Sequence, residues 1–320
     1  MKKIVILDGY TTNPGDLSWE WMNEYGEVTV YDRTSPDETV ERCKNANIIV
    51  SNKTVLSKEI LQQVTDLEFV ELLSTGYNIV DHAYLKERGI PVCNIPSYST
   101  MAVAQMTFAL ILEICNKVGR HSRLVSEGKW SECKDFCFWD SPLVELNGKT
   151  IGIIGFGKIG QAVADIADKF GMKVIAYAPR RSDQSNRKNF EWVELDELLS
   201  KADVVTLHCP LTAETEGMVN YDFISKMKTD SILINTSRGP VVDDRALANA
   251  LNSNYLMGAG LDVITKEPPE ADNPLLTAKN CFITPHISWA AFETRERLMS
   301  ICKENFRQYF NSTPVNVVNK

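Results

Sequence analysis

Short apolar runs alternate with amphipathic stretches along most of the chain. In the first hundred residues, segments 4–7, 28–31, 48–51, 69–73 and 91–94 each read as a buried strand. Between them, 36–45, 57–63 and 81–88 read as helices. Ser57 is placed as an N-cap, with Ile60, Leu61 and Val64 on one face. Strand–helix alternation of this kind predicts parallel strands in an α/β layer. From residue 100 to about 126, Val103, Met106, Thr107, Leu110, Ile111, Ile114 and Val118 recur at helical spacing and predict one long helix. An irregular aromatic stretch follows over 130–143, carrying Trp130, Phe136, Phe138 and Trp139, and Asn147-Gly148 marks a turn. A second alternation then starts, with strands at 150–156, 173–178, 203–208, 231–236, 256–263 and 281–285 and a closing amphipathic helix at 290–310.

Composition narrows the choices. The 320 residues are roughly twice the ~150-residue domain prior, so two α/β domains are expected. Lys and Arg number 34 against 42 Asp and Glu, a net charge of −8. An acidic balance argues against nucleic acid or an anionic membrane as the main partner. No stretch approaches the ~20 apolar residues of a membrane span, and the run after Met1-Lys2-Lys3 is too short for a signal peptide, so a cytoplasmic protein is expected. The eight cysteines are expected as free thiols, with Cys93, Cys115, Cys209 and Cys281 as small core residues. Cys133 and Cys137 lie four apart, but no second Cys pair or His is near, and no metal site is expected.

The segment Gly155-Phe-Gly157-Lys-Ile-Gly160 has the G-x-G-x-x-G spacing, follows an apolar strand and opens a helical pattern. That context is what a dinucleotide-binding turn requires. Gly155 permits the tight turn, Gly157 lets backbone approach a pyrophosphate, and Gly160 lets helix and strand pack closely. The next strand ends at Ala178 with no acidic residue for an adenosine ribose, and Pro179-Arg180-Arg181-Ser182 follows. Two arginines and a hydroxyl would attract a 2′-phosphate, so the sequence leans towards NADP(H). The alternative is that Arg180 and Arg181 are solvated loop charges and NAD(H) binds.

In an open parallel sheet, ligands sit beyond the carboxyl ends of the strands. Arg238, Glu267 and His286 follow three successive strands of the second alternation. The trio suits hydride transfer to a 2-oxo acid. A guanidinium can bind the carboxylate and polarise the ketone, and an imidazolium can donate the proton a developing alkoxide needs. A neighbouring carboxylate would orient that ring and favour its charged form. Of the other histidines, His208 ends a strand beside Cys209-Pro210, where it would line the cofactor cleft. His82 and His121 lie in helical segments and read as surface or packing residues.

These residues carry a resemblance to a known family. Gly155-Phe-Gly-Lys-Ile-Gly160, Leu207-His-Cys-Pro-Leu-Thr212, Asn235-Thr-Ser-Arg-Gly239, Gly260-Leu-Asp-Val263 with Glu267-Pro268, and Thr284-Pro-His-Ile287 together resemble the D-isomer-specific 2-hydroxyacid dehydrogenases, over nearly the whole chain. Within that family the chain looks most like the glycerate dehydrogenases, or hydroxypyruvate reductases. The resemblance implies Arg238 as binder of substrate carboxylate and carbonyl, and Glu267 with His286 as the acid–base pair. It implies that Lys158, Ile159, Cys209, Pro210, Thr215 and Thr236 contact the dinucleotide and that Asp262 holds the nicotinamide carboxamide. It also implies that the loop Ser74-Thr75-Gly76-Tyr77-Asn78 holds the substrate carboxylate through backbone N–H groups, with Asn52 and Lys53 close by. The implied fold is a Rossmann-type doubly wound parallel sheet over 100–288, inserted into a flavodoxin-like α/β substrate domain made of 1–99 and 289–320, with substrate in the cleft. The expected substrate is a small 2-oxo acid, hydroxypyruvate or glyoxylate; bulkier 2-oxo acids and a non-catalytic dinucleotide-sensing scaffold are the alternatives. Formate oxidation forms no alkoxide, so Glu267 argues against it, and a chain ending at Lys320 leaves no room for the regulatory domain of many phosphoglycerate dehydrogenases. A homodimer is implied. Trp139 sits in a stretch that resembles an arm reaching the partner's site; a local aromatic plug over its own core is the other reading.

Overall fold

The computed structural model describes all 320 residues, which form two compact units. One comprises Met1–Ser99 and Ala290–Lys320, the other Thr100–Trp289. Trp289 thus closes the second unit instead of opening the return segment.

In the first unit, β1 (Lys2–Ile6), β2 (Gly26–Val30), β3 (Ile48–Ser51), β4 (Phe69–Leu72) and β5 (Val92–Cys93) form a wholly parallel sheet in the order β2-β1-β3-β4-β5. Every residue of β3 and β4 is buried, as a parallel strand covered on both faces requires. The helices α1 (Pro36–Cys43), α2 (Lys58–Leu61) and α3 (His82–Glu87) run between the strands. Proline at its start and a Ser35–Glu38 capping box begin α1, and the Asp81 carboxylate caps α3 by accepting from the Tyr84 N–H at 2.9 Å.

The second unit opens with α4 (Thr100–Asn116) and α5 (Val118–Ser126), where the periodicity predicts a single helix. Lys117 breaks it, with a left-handed φ of 50°, and the two helices diverge by 53°. The reason lies in what each covers. Val103, Ala104, Thr107, Phe108, Leu110, Ile111 and Ile114 of α4 are buried, whereas α5 buries no residue and Val118 is exposed. No single helix of the protein is long and apolar enough to cross a membrane.

The sheet of this unit contains β6 (Thr150–Ile154), β7 (Lys173–Tyr177), β8 (Phe190–Trp192), β9 (Val204–Leu207), β10 (Ile232–Asn235), β11 (Gly258–Leu261) and β12 (Cys281–Ile283). All are parallel, in the order β12-β11-β10-β9-β6-β7-β8. The edge strand β8 is additional to the strands read from the sequence. Helices α6 (Lys158–Lys169), α7 (Leu195–Lys201), α8 (Tyr221–Lys226) and α9 (Asp244–Asn252) make the crossovers. Strand order reverses beside β6, so the crevice beyond its carboxyl end is the switch point where a doubly wound sheet takes a dinucleotide. The chain then returns to the first unit as α10 (Phe292–Phe310), whose Phe306 meets Phe69 edge-on and whose Tyr309 stacks on Phe69 at 4.3 Å. All eight cysteines are free thiols; Cys93, Cys115 and Cys209 are buried, while Cys281 is half-buried.

Candidate active site

The glycine turn after β6 is built as the spacing requires. Gly155 has φ +90°, and a Cβ there would lie 2.6 Å from Cys209 N, so only glycine fits. A Cβ on Gly160 would lie 2.3 Å from Gly155 O, the close helix–strand approach. Gly157 caps α6 and has open space where its Cβ would be, at the start of a helix whose first turn holds Lys158 and Ile159. This is an anion cradle that a pyrophosphate fits. His208, directly after β9, adds a second observation: both its ring nitrogens are shielded from solvent and have no hydrogen-bond partner. Burial pushes its pKa down to about 3, so the ring is neutral and free to pair with a polar ligand. Thr215 Oγ1 donates to Pro210 O at 2.7 Å and closes the loop after Cys209, and the buried Thr236 hydroxyl pairs with Thr107 at 3.1 Å.

Beyond β7 the two arginines differ. The Arg181 guanidinium is held by the Glu194 carboxylate and the Val193 carbonyl. Arg180 is exposed and makes no such pair, and the Ser182 hydroxyl accepts from Gln184 Nε2 at 2.8 Å.

The catalytic candidates occupy the carboxyl ends of β10, β11 and β12. His286 Nδ1 and Glu267 Oε2 are 2.6 Å apart, and the other Glu267 oxygen accepts from Ile264 N at 3.3 Å. The carboxylate is therefore fixed, and it engages Nδ1, leaving Nε2 as the working nitrogen. His286 sits at a left-handed φ of 54°, a conformation that persists in a non-glycine residue only when its surroundings impose it. They do so through Asp262. Its buried carboxylate accepts from Thr284 Oγ1 at 2.6 Å, Ile287 N at 2.9 Å and Ser288 N at 2.9 Å, tying down both sides of His286. Asn235 performs a similar task for Arg238. Its amide donates to Arg238 O at 2.9 Å and its oxygen accepts from Ser237 N and Oγ. The turn then presses on the segment that leads to Glu267, since a Cβ on Gly239 would lie 1.9 Å from Ile264 O. These anchoring roles of Asp262 and Asn235 are absent from the sequence reading. A polar residue ending an otherwise apolar strand was their only signal.

In the first unit, Asp8 organises the loop after β3. Its carboxylate accepts from the N–H groups of Asn52, Lys53 and Thr54, and the Asn52 amide turns inward onto the Thr11 and Thr12 hydroxyls. In the loop after β4, Thr75 Oγ1 donates to Ile95 O at 2.8 Å and Tyr77 lies edge-on to His82. The aromatic stretch of the second unit forms no plug: Phe136 is 89% and Trp139 67% exposed. Arg120 anchors the segment by pairing with Asp140, whose carboxyl it holds below the usual carboxylate range.

Comparison with known proteins agrees with this geometry. Residues 108–288 match the model of the D-isomer specific 2-hydroxyacid dehydrogenase, NAD binding domain. The chain belongs to the D-isomer specific 2-hydroxyacid dehydrogenases. It is 52% identical to a hydroxypyruvate reductase of Blautia hydrogenotrophica over 99% of this chain and 100% of that one. It is 36% identical to a glycerate dehydrogenase of Methylorubrum extorquens, over 99% of each chain. A solved acyclic imino acid reductase in complex with NADPH and D-Arg superposes with a TM-score of 0.86, at 35% identity and over 99% of each chain. The protein is thus an oxidoreductase of the CH–OH group with a nicotinamide dinucleotide as cofactor.

Proposed function

We propose that the protein reduces a small 2-oxo acid, hydroxypyruvate or glyoxylate, to the D-2-hydroxy acid, with NADP(H) favoured over NAD(H). The observation that carries this reading is the Glu267–His286 pair at 2.6 Å, held in a strained loop by Asp262 beside the turn of Arg238. The relatives named above, a hydroxypyruvate reductase and a glycerate dehydrogenase, support the choice of substrate.

When bound, the dinucleotide would supply the hydride. Gly155, Gly157, Lys158, Ile159 and Gly160 would hold it, with Arg180, Arg181 and Ser182 at the adenosine end, and with His208, Cys209, Pro210, Thr215, Thr236 and Asp262. Arg238 binds the substrate carboxylate and polarises the ketone. His286 Nε2 donates a proton to the ketone oxygen as negative charge develops there, and Glu267 keeps the ring in the orientation this needs. The loop Thr75, Gly76 and Tyr77, with Asn52 and Lys53, receives the carboxylate end. The preference for NADP(H) is supported by Ala178, just past β7, where the chain supplies no carboxylate, and by Arg180, which is unengaged, while Glu194 takes up Arg181. The exposed Phe136 and Trp139 suit an arm that packs on a second copy, which favours a homodimer with Trp139 contributing to the partner's substrate site.

A panel of 2-oxo acids assayed with NADPH and NADH tests the proposal. Hydroxypyruvate or glyoxylate with NADPH is expected to give the highest kcat/KM. A clear NADH preference would remove the cofactor assignment, and tight dinucleotide binding without turnover of any 2-oxo acid would leave only the scaffold reading.

A further inference from the structure

The loop after β4 has an unusual hydrogen-bond balance. Each carbonyl from Ser74 to Tyr77 is taken: Ser74 O by Ile95 N, Thr75 O by Asn94 Nδ2, Gly76 O by Ser74 Oγ and Tyr77 O by Val80 N. None of the amide N–H groups of Thr75, Gly76, Tyr77 and Asn78 donates within the unit. A run of free N–H groups beside satisfied carbonyls is an anion-binding arrangement.

Three of those four carbonyl contacts are local to the chain or made by backbone. The fourth, Asn94 Nδ2 to Thr75 O at 2.7 Å, connects to a buried polar chain. Asn305 Nδ2 on α10 donates to Asn94 O at 3.0 Å and to Glu71 Oε1 at 2.8 Å, and Asn316 Nδ2 donates to Asn305 Oδ1 at 2.8 Å. Asn316 O in turn accepts from Asn94 N at 3.2 Å. Glu71 and Asn305 are wholly buried and Asn94 nearly so. Only Glu71 Oε2 lacks a partner in this chain of contacts; the amides of Asn94, Asn305 and Asn316 are linked end to end, and buried polar groups linked in this way hold what they touch in place. The other proposed roles leave these residues without one, and an acidic side chain inside an apolar β4 strand is costly unless something uses it.

We infer that Asn94 is a positioning residue for substrate binding. Backed by Asn305 and Glu71, it pins the Thr75 carbonyl inward, so that the following N–H groups stay free to hold the carboxylate of a 2-oxo acid. The inference rests on the reading of this loop given under Proposed function.

Asn94→Asp in the full chain tests it, because an oxygen then faces the Thr75 carbonyl with little change of shape. The KM for hydroxypyruvate is expected to rise roughly 10- to 100-fold, while the Kd for NADPH stays close to the parent value. If Asn94→Asp does not fold, Asn94→Ala removes the donor without adding repulsion and is expected to shift KM in the same direction by less. An unchanged KM in a folded Asn94 variant would overturn the inference. So would a loss spread equally over substrate KM, NADPH affinity and Tm, since that is the mark of a merely structural residue. Failure of the parent enzyme to turn over any 2-oxo acid is a different result and would overturn the proposed function instead.

Discussion

At the scale of single residues, the site is defined by atoms that cannot be exchanged. His286 holds a backbone conformation that few side chains tolerate, and Asp262, directly after β11, enforces it. Gly239 has no room for a methyl group, so Gly239→Ala is expected to lower stability by about 1–3 kcal/mol, read as a lower urea midpoint at unchanged slope. The two arginines after β7 differ in the same concrete way. Since Glu194 already holds Arg181, Arg180→Ala is expected to raise the KM for NADPH more than Arg181→Ala does, by roughly tenfold or more, with the KM for NADH nearly unchanged. Equal effects of the two variants would contradict this. Positions such as His286 and Glu267 stood out in the sequence because each follows an apolar run that reads as a strand. Asp262, Asn235, Asp8 and Asn94 did not stand out as anchors. Asp262, Asp8 and Asn94 each act across a gap to a loop that only the folded sheet brings near, and Asn235 acts on the turn that directly follows it.

Among the elements, the parallel strands were legible because buried β-branched runs have few other uses, and the glycine turn because both its flanks agreed with it. Two features were not. The break at Lys117 comes where burial ends, after Ile114 and Cys115, and nothing in the apolar periodicity of 100–118 records where a neighbour ends. The edge strand β8 is only three residues long, too short for period-two alternation to register. Glu71 lies inside β4, and burial holds its carboxyl well above the usual carboxylate range despite the hydrogen bond from Asn305. The folded state therefore keeps the proton that the unfolded state releases. Stability contributed by Glu71 is complete below pH 4.5 and falls as the pH rises towards the raised folded value. Glu71→Gln removes that loss. It is expected to raise the urea midpoint near pH 8 and to change it little near pH 4; an equal effect at both would contradict the neutral carboxyl.

For the whole molecule, the net charge of −8 points away from the ligands the protein takes, and local charge points towards them. An acidic surface coexists with a glycine turn at a helix start, an unengaged Arg180 and a loop of free N–H groups. Binding confined to the folded state raises stability, so NADPH at ~100 times its Kd is expected to add about 2.7 kcal/mol, seen as a rise in Tm. With a pKa of about 3, His208 stays neutral at ordinary pH, so the pH profile of NADPH affinity, which the 2′-phosphate of the cofactor also shapes, is expected to keep its form in His208→Asn. A step near the usual histidine range that disappears in the variant would place a protonated ring there and contradict its burial. The central claim is that His286 protonates the ketone oxygen of a small 2-oxo acid as it is reduced. The most direct test is steady-state reduction of hydroxypyruvate by NADPH in the parent enzyme and in His286→Ala, with NADPH binding measured in both. The account predicts turnover by the parent, equal NADPH binding, and a kcat roughly 10²–10⁴ lower in the variant. Near-normal kcat in His286→Ala would contradict it.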